Sequence, residues 1–516
     1  MKSPSYSLLA VLVLGYLTAS VANAQSLGLF DGHTDVGKVK KAGSARYDAK
    51  KDEYTLTGAG YNIWFDHDEF HFLWKRMKGD FILTTRASLI GTGVDPHRKV
   101  GWMVRSSLDS NSAHINAAEH GDGLTSLQFR RKTGALTEEV KAKITGADVI
   151  QLERQGNKYI MSVAKFGETF VTEEVTDLDL GDEVYVGLFI GSHNKDVVER
   201  GVFQDVRMYV PAPATLVPYR QYLGSDLELM DVATGHREKI YHSPGSIQAP
   251  NWTLDNKALL YNGDGKIYRF DLKKKTPVLL NTGEVTNNNN DHVISFDGKM
   301  LGLSNSNTPT PDGPKSIIYT VPIGGGTPKR ITPIGHSYLH GWSPDGKWLV
   351  YTAQRDGDYN IYKVPANGGT EVQLTTAKGL DDGPEYSPDG KYIYFNSTRS
   401  GLMQLWRMKP DGSEQEQITN DEFNNWFPHI SPDGKQMVFL SFGQDVKPDD
   451  HPFYKRVYLR HLPLENGNPV KTRPRAIAYL YGGQGTINTP SWSPDSKKIA
   501  FISNSAPLTA VPASGK

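Results

Sequence analysis

Trp342-Ser343-Pro344-Asp345-Gly346-Lys347 runs straight into the alternating stretch Trp348-Leu349-Val350-Tyr351. The same phrase returns as Tyr386-Ser387-Pro388-Asp389-Gly390-Lys391 ahead of Tyr392-Ile393-Tyr394-Phe395. Pro fixes φ, Asp caps the turn through its side chain and Gly accepts left-handed backbone, so each phrase is a tight turn leading into a strand. Ile430-Ser431-Pro432-Asp433-Gly434-Lys435 and Trp492-Ser493-Pro494-Asp495-Ser496-Lys497 repeat it; Ile294-Ser295-Phe296-Asp297-Gly298-Lys299 and Trp252-Thr253-Leu254-Asp255-Asn256-Lys257 are weaker copies. The aspartates stand at 255, 297, 345, 389, 433 and 495, at intervals of 42, 48, 44, 44 and 62 residues. A second hairpin follows in the unit, as in Ile361-Tyr362-Lys363-Val364 before Gly368-Gly369 and Leu405-Trp406-Arg407-Met408 before Asp411-Gly412. Four short strands per interval make a propeller blade.

The last phrase leaves room for only two strands, through Ile499-Ala500-Phe501-Ile502. The missing outer pair is supplied by Leu227-Glu228-Leu229-Met230-Asp231-Val232 and Arg237-Glu238-Lys239-Ile240-Tyr241, joined across Thr234-Gly235. The two ends of the region then share a blade, which removes the free sheet edge. The expectation is a six-bladed ring over about 219 to 504. Phrase and blade length resemble the TolB-type propeller built from WD40-like PD40 repeats. That resemblance implies a ring that binds partners along its axis. The chain departs from that family in the insertion Gly443-Gln444-Asp445-Val446-Lys447-Pro448-Asp449-Asp450-His451-Pro452 and in what precedes the ring, so the family's envelope role is not carried over.

Before the ring the period changes to two. Gly79 to Ala87, Gly101 to Arg105, Leu124 to Arg130 and Val149 to Arg154 alternate apolar with polar side chains between Gly- and Asp-rich turns, which predicts a β-sandwich over 26–210. The run from Val184 through Gly187-Leu188-Phe189-Ile190-Gly191-Ser192-His193-Asn194 to Phe203-Gln204-Asp205-Val206, with Gly101-Trp102-Met103-Val104-Arg105, resembles the bacterial concanavalin A-like domain catalogued as DUF1349. The resemblance implies a lectin-like sandwich, and fold alone does not fix function. The fold class expected is thus all-β, a concanavalin A-like sandwich followed by a TolB-like six-bladed propeller. Residues 211–218, with Pro211-Ala212-Pro213-Ala214, form a stiff connector, and 505–516 a C-terminal tail.

Composition narrows the classes. Of 516 residues, 57 are Lys or Arg and 57 Asp or Glu, so no net charge attracts nucleic acid or an anionic membrane; no Cys is present, so disulfide and zinc-ribbon scaffolds are excluded. Residues 1–24 read as a cleaved signal peptide, with Lys2, the apolar stretch Leu8 to Leu17 and Ala22-Asn23-Ala24. No lipobox cysteine follows and no later segment is a membrane span, so a periplasmic or secreted protein is expected.

Chemistry is expected where the loops entering the innermost strands converge. They carry Gln248 and Asn251; Asn290, Asp291 and His292; His340; Asp381, Asp382 and Glu385; Asn424, Asn425, Trp426 and His429; and Gln484, Thr486 and Asn488. An aromatic face with amides and carboxylates suits a sugar or a peptide. Asn290, Asp382, Asn425, Trp426, Gln484 and Asn488 are the ligand-binding candidates. Asp291, His292, His340, Glu385 and His429 are the catalytic candidates if the protein is an enzyme. No cofactor is expected; a divalent metal would fall to His292, His340 and His429, although no His-x-His or His-Glu-x-x-His spacing supports it. The bland readings are loop histidines held by hydrogen bonds, a packed Trp426 and an exposed Asp381-Asp382 turn. The repeated aspartates are structural, since a catalytic residue has no reason to occur six times. In the preceding region Trp64, His67, Asp68, His71 and Trp74, with His114, Asn116, Glu119, His120 and Asp122, are either a glycan groove or ordinary sandwich positions.

The leading functional expectation is a binding protein whose channel and sandwich engage an envelope protein or a glycan. The alternative is a carbohydrate-active lyase or hydrolase, for which oligogalacturonate lyases with similar blades are a fainter resemblance. A peptidase of the prolyl oligopeptidase type would need a Gly-x-Ser-x-Gly elbow that is not found.

Overall fold

The computed structural model describes residues 26–310 and 313–508. The signal-peptide expectation for 1–24 and most of the expected tail lie outside the described residues. Alternation builds the first half. One seven-stranded antiparallel sheet runs, in spatial order, Gly32–Val36, Phe70–Lys78, Glu183–Gly191, Lys99–Arg105, His114–His120, Leu124–Arg130 and Glu138–Thr145. A second runs Val171–Val175, Lys158–Ala164, Val149–Gln155, Phe81–Leu89, Asn194–Tyr209, Glu53–Gly60 and Ser44–Asp48. Alternate residues of most of these strands feed one apolar cluster, with Leu73, Trp102, Leu127 and Val186 from the first sheet meeting Leu56, Leu83, Leu152 and Met161 from the second.

The opposite face of the first sheet is also buried. Phe70, Phe72, Met103, Ala118 and Phe189 pack with Ile63 and Leu108, which belong to connecting segments. Asp68 arrives with the Ile63 segment and is completely buried between Arg130, at 2.7 Å, and Arg105, at 3.3 Å. Such a charge is tolerated in the interior only when paired. Beside it His114 is pulled down to about 4, first by burial.

Six small sheets follow. Blade 2 is Ile247–Trp252, Ala258–Gly263, Lys266–Asp271 and Thr276–Leu279; blade 3 is Asn288–Ile294, Met300–Thr308, Lys315–Pro322 and Lys329–Arg330; blade 4 is Ser337–Trp342, Trp348–Gln354, Tyr359–Pro365 and Val372–Gln373. Blade 5 is Asp381–Tyr386, Ile393–Ser397, Gln404–Met408 and Glu416–Gln417. Blade 6 is Asn424–Ile430, Gln436–Phe442, Lys455–Glu465 and Arg475–Gly482, with the small Asn468–Pro469 hairpin arm lengthening the widest interval. Blade 1 closes the ring: Lys498–Ser505 pairs with Gly224–Asp231, Leu227 opposite Ile502, and Arg237–Ser243 lies outside. Its innermost strand shrinks to a bridge between Trp492 and Ile499. The repeated turn forms as its composition dictates: in blade 4 Ser343 Oγ donates to Asp345 Oδ1 at 2.6 Å, the Lys347 amide donates to the same oxygen at 3.1 Å, and Gly346 takes φ +71°.

The two halves are locked by buried charge. Arg207, from the second sheet, lies 3.1 Å from Glu228 of blade 1, Arg237 lies 2.7 Å from the same carboxylate, and Ser503 Oγ donates to it at 2.6 Å. The segment after the Pro/Ala connector is tied down as well. The Ala212 amide donates to Tyr481 Oη, the Leu223 amide donates to Tyr454 Oη, and Tyr219 and Tyr222 both pack on Phe453.

Candidate functional site

The inner strands of blades 2 to 6 break register five or so residues before the turn aspartate, between Gln248 and Asn251, Asn288 and His292, Leu339 and Gly341, Asp382 and Glu385, and Trp426 and His429. A β-bulge leaves a residue out of the ladder and re-aims its side chain. Three bulges hold a left-handed residue just before a proline, Ala249, Gly383 and Phe427. For a ring as bulky as Phe427 the φ of 55° is strained backbone, held in part by its amide donating to Asn396 Oδ1 at 3.0 Å.

These bulges aim side chains into a cavity of about 1090 Å³ at the channel mouth. Of the residues expected to bind or react, Asn290, Asp291, His340, Asp382, Gln484 and Asn488 line it together. Phe427, Tyr338, Tyr359 and, from the insertion, Pro448, Asp449 and His451 complete the wall, with Tyr219 from the segment after the connector. A second cavity of about 770 Å³ shares Tyr219, Asn289, Asn290, Ser306 and Gln484 and continues toward Tyr241, Tyr261 and Tyr268.

The electrostatics centre on blades 3, 4 and 5. His340 Nε2 lies 3.3 Å from Asp382 Oδ1, and His451 Nε2 lies 3.8 Å from Asp382 Oδ2. Thr352 Oγ1 and the Gly383 amide also donate to Asp382, at 2.7 and 2.8 Å. Burial opposes that carboxylate's charge, yet His340 and His451 outweigh it and hold its pKa down at about 2. Burial likewise opposes a charge on His340, but Asp291 and Asp382 raise its pKa above the ordinary value. Asp291 receives less help. Asn289 Nδ2 donates to it at 2.7 Å, no cation approaches within ion-pair distance among the described residues, and burial followed by the Asp382 charge pushes it up to about 6 against His340 and His451. A chain of amides closes the other side: Asn488 donates to Gln484 at 3.0 Å and Gln484 to Asn290 at 3.3 Å.

The remaining expected residues lie elsewhere. Glu385 and His429 clasp neighbouring blades: His429 Nδ1 donates to Glu385 Oε2 at 2.6 Å, its Nε2 meets the Ile487 carbonyl, and the Ile430 amide donates to Glu385 Oε1 at 3.1 Å. Asn251 does the same work between blades 2 and 3, accepting from the Ile294 amide at 3.2 Å. Asn425 is spent on Gln404, Thr419 and Asp421, and Trp426 is wholly buried in the apolar cluster of blades 1 and 6. His292 is wholly buried and burial pulls it down to about 4. Asp381 pairs with Arg399 at 2.7 Å. Among the described residues no three His, Cys, Asp or Glu side chains converge as a metal site. In the first half Asp68, His114 and Asn116 are completely buried, His71 is held by Asp35 at 2.7 Å, and His67 is exposed beside Asp66. Glu119, pushed up to about 8 by burial, accepts from Thr125.

The TolB β-propeller domain model, PD40, matches residues 334–448. An uncharacterized protein of Agrobacterium fabrum is 42% identical over 279 residues, which is 54% of this chain and 92% of that protein. The chain belongs to the TolB-like PD40 β-propeller family. A solved structure of an Agrobacterium tumefaciens protein described as a TolB is similar to this family member at 41% identity, covering 55% of this chain and 99% of that one with a TM-score of 0.51. TolB of Acinetobacter baumannii is 16% identical, covering 64% of this chain and 79% of that one at a TM-score of 0.39. The part shared with the Agrobacterium proteins is therefore about half of the chain, and the family model falls within the ring of small sheets. Among the described residues no helix is long and apolar enough to cross a membrane.

Proposed function

We propose that this TolB-like propeller is a binding protein of the periplasm or cell exterior that takes an extended segment of a partner protein in the cleft over its channel. The observation that carries this is the continuity of the two cavities, about 1090 and 770 Å³, through the shared side chains of Tyr219, Asn290, Ser306 and Gln484. A long cleft lined by aromatic rings and amides suits an extended backbone, whose alternate side chains need pockets and whose peptide groups need hydrogen bonds. The Agrobacterium proteins, which match about half of the chain, and the family model over 334–448 support the propeller as the working part. The two amino-terminal sheets are read as a concanavalin A-like sandwich of the DUF1349 type that carries a second contact, a glycan among the partners it would suit.

The test is selection of a random twelve-residue peptide library on the folded protein, followed by binding to Ser306→Trp. Ser306 is half-buried and shared by both cavities, so the indole fills the junction. Peptides that bind the parent and lose at least tenfold on Ser306→Trp support the reading; peptides indifferent to the substitution overturn it.

A second reading, acid–base chemistry on a carbohydrate, is favoured by one observation. Asp291, held near pH 6 beside His340 in a cavity, has the pKa of a working acid. Product analysis after incubation with plant and bacterial oligosaccharides decides it, and loss of turnover in Asp291→Asn is the required result.

A further inference from the structure

The charges lining the cleft are one-sided. The channel-mouth cavity presents four aspartates, Asp291, Asp358, Asp382 and Asp449, against His340 and His451, and no Lys or Arg lines either cavity among the described residues. Asp382 is already satisfied by His340, His451, Thr352 and the Gly383 amide. Asp291 is not: it is 6% exposed, and Asn289 is its one side-chain hydrogen-bond partner among the described residues. Beside it Asn290, 4% exposed, spends its Oδ1 on Gln484, while its buried Nδ2 has no partner among the described residues. A buried carboxylate without an ion-pair contact among the described residues and an idle buried donor, side by side in a cavity, are each costly in the protein alone.

We propose that the channel mouth recognises a basic side chain of an extended peptide, its ammonium or guanidinium pairing with Asp291 while Asn290 Nδ2 donates to an adjacent peptide carbonyl. The proposal rests on the peptide-binding reading above and names the chemistry of its anchor. Tyr338, Tyr359 and Phe427 line the same cavity. Ring faces near a carboxylate stabilise a desolvated cation. Asp358 and Asp449, both exposed at the rim, draw cations toward the mouth.

The proposal carries a pH dependence of fixed sign. Asp291 is faced by His340, Asp382 and His451, and Tyr338, whose hydroxyl burial pushes above its usual range, stays neutral. As pH rises through about 6 Asp291 loses its proton. His340 gives up its charge at a somewhat higher pH than an ordinary histidine, while Asp382 stays ionised throughout. Both changes make the cavity more negative, so a cation binds more tightly as pH rises.

The experiment takes the peptides selected above, replaces each Lys or Arg by norleucine or citrulline in turn, and measures dissociation constants by fluorescence anisotropy at pH 5 and pH 7.5. The expected result is that one basic position dominates: its replacement weakens binding about tenfold or more, and binding tightens about tenfold between the two pH values. Asp291→Asn should remove the larger part of that pH dependence, leaving only what the titration of His340 contributes. The exposed variants Asp358→Lys and Asp449→Lys, which leave the buried wall intact, should slow association in low salt. Spermidine is the probe for a free amine. If it binds as tightly as the peptides, the carbonyl contact to Asn290 is not used and the peptide part of the proposal falls. Peptides that are lost on Ser306→Trp yet indifferent to norleucine overturn the cation and leave the peptide reading standing. Peptides indifferent to Ser306→Trp overturn the reading on which it rests.

Discussion

His340 Nε2 and Asp382 Oδ1 stand 3.3 Å apart, one from the innermost strand of blade 4 and the other from that of blade 5. The pair is possible because His340 is bulged out of its ladder and Asp382 is the last residue paired, opposite Asn396, before the bulge of blade 5, so neighbouring blades meet by side chain at the mouth. It also explains why Asp291, one blade further on, is left short of a partner.

Replacing Asp382 by Asn should lower the pKa of His340, because burial is then opposed by Asp291 and the Asn488 backbone without the Asp382 charge. Histidine ring titration by NMR checks this, and an unchanged His340 midpoint would mean that Asp382 is not its partner in solution. The stabilising effect of the pair has two limits. Asp382's part is full above its usual pKa and is lost as pH falls toward about 2, whereas that of His340 is full below its usual value and is lost as pH rises through its raised one.

Asp291→Asn should stabilise the empty protein. A carboxyl raised from 3.8 to about 6 favours the folded state when protonated, and that advantage is lost as pH climbs from about 4 through about 6. The variant should therefore gain on the order of 2 kcal/mol at pH 7.5 and little at pH 3.5. Urea unfolding at the two pH values measures it, and equal gains at both would assign the effect to something other than charge.

Glu228→Gln should loosen the junction between the two halves. Glu228 is fully buried, and although burial alone would raise it, Arg237 and Arg207 hold it at about 2. Removing the charge leaves buried Arg237 without its ion pair and Arg207 with Asp52 alone, a loss on the order of 3 kcal/mol. Its contribution in the parent is full above about 4.5 and disappears as pH falls toward about 2. Limited proteolysis of the segment between Tyr209 and Gly224 reports the junction directly: faster cleavage in the variant is expected, and parental resistance would contradict the role.

His429→Ala should cost stability without touching ligand affinity beyond what misfolding explains. It removes the clasp to Glu385 and the Ile487 carbonyl between blades 5, 6 and 1, and His429 is not among the residues lining the cavity. A drop of about 2 kcal/mol in unfolding free energy with an unchanged peptide dissociation constant is the expected pair of results.

The ring was legible because its information is local and repeated. Ser343 and Asp345 build the turn from within six residues, and a pattern returning every 44 or so residues leaves little choice of blade. The closure could be read for the same reason, as two orphan hairpins at opposite ends. The site was legible only in part. Choosing residues by position before the turn found Asn290, Asp291, His340, Asp382, Gln484 and Asn488. It could not tell them from Asn425, Trp426, Glu385 and His429, because the bulge that aims one residue into the channel turns its neighbour toward the next blade. A weak signal was present: Pro250, Pro384 and Pro428 each stand five residues before the turn aspartate, and each follows a left-handed residue at the bulge. His451 was out of reach, since nothing local says that the 443–452 insertion folds back over the mouth to Asp382. The first half was hidden differently. Alternation marks its strands but not that the Ile63 to Asp68 segment would seal the second face of a sheet over Phe72 and Met103.

Hydrogen–deuterium exchange of the whole protein, with and without a selected peptide, tests the central claim most directly. The account predicts slowed exchange in Asn288–Ile294, Ser337–Trp342 and Asp381–Tyr386 and in the 448–453 segment, with the two amino-terminal sheets unchanged. Protection confined to residues 32–209, with the channel mouth exchanging as before, would contradict it.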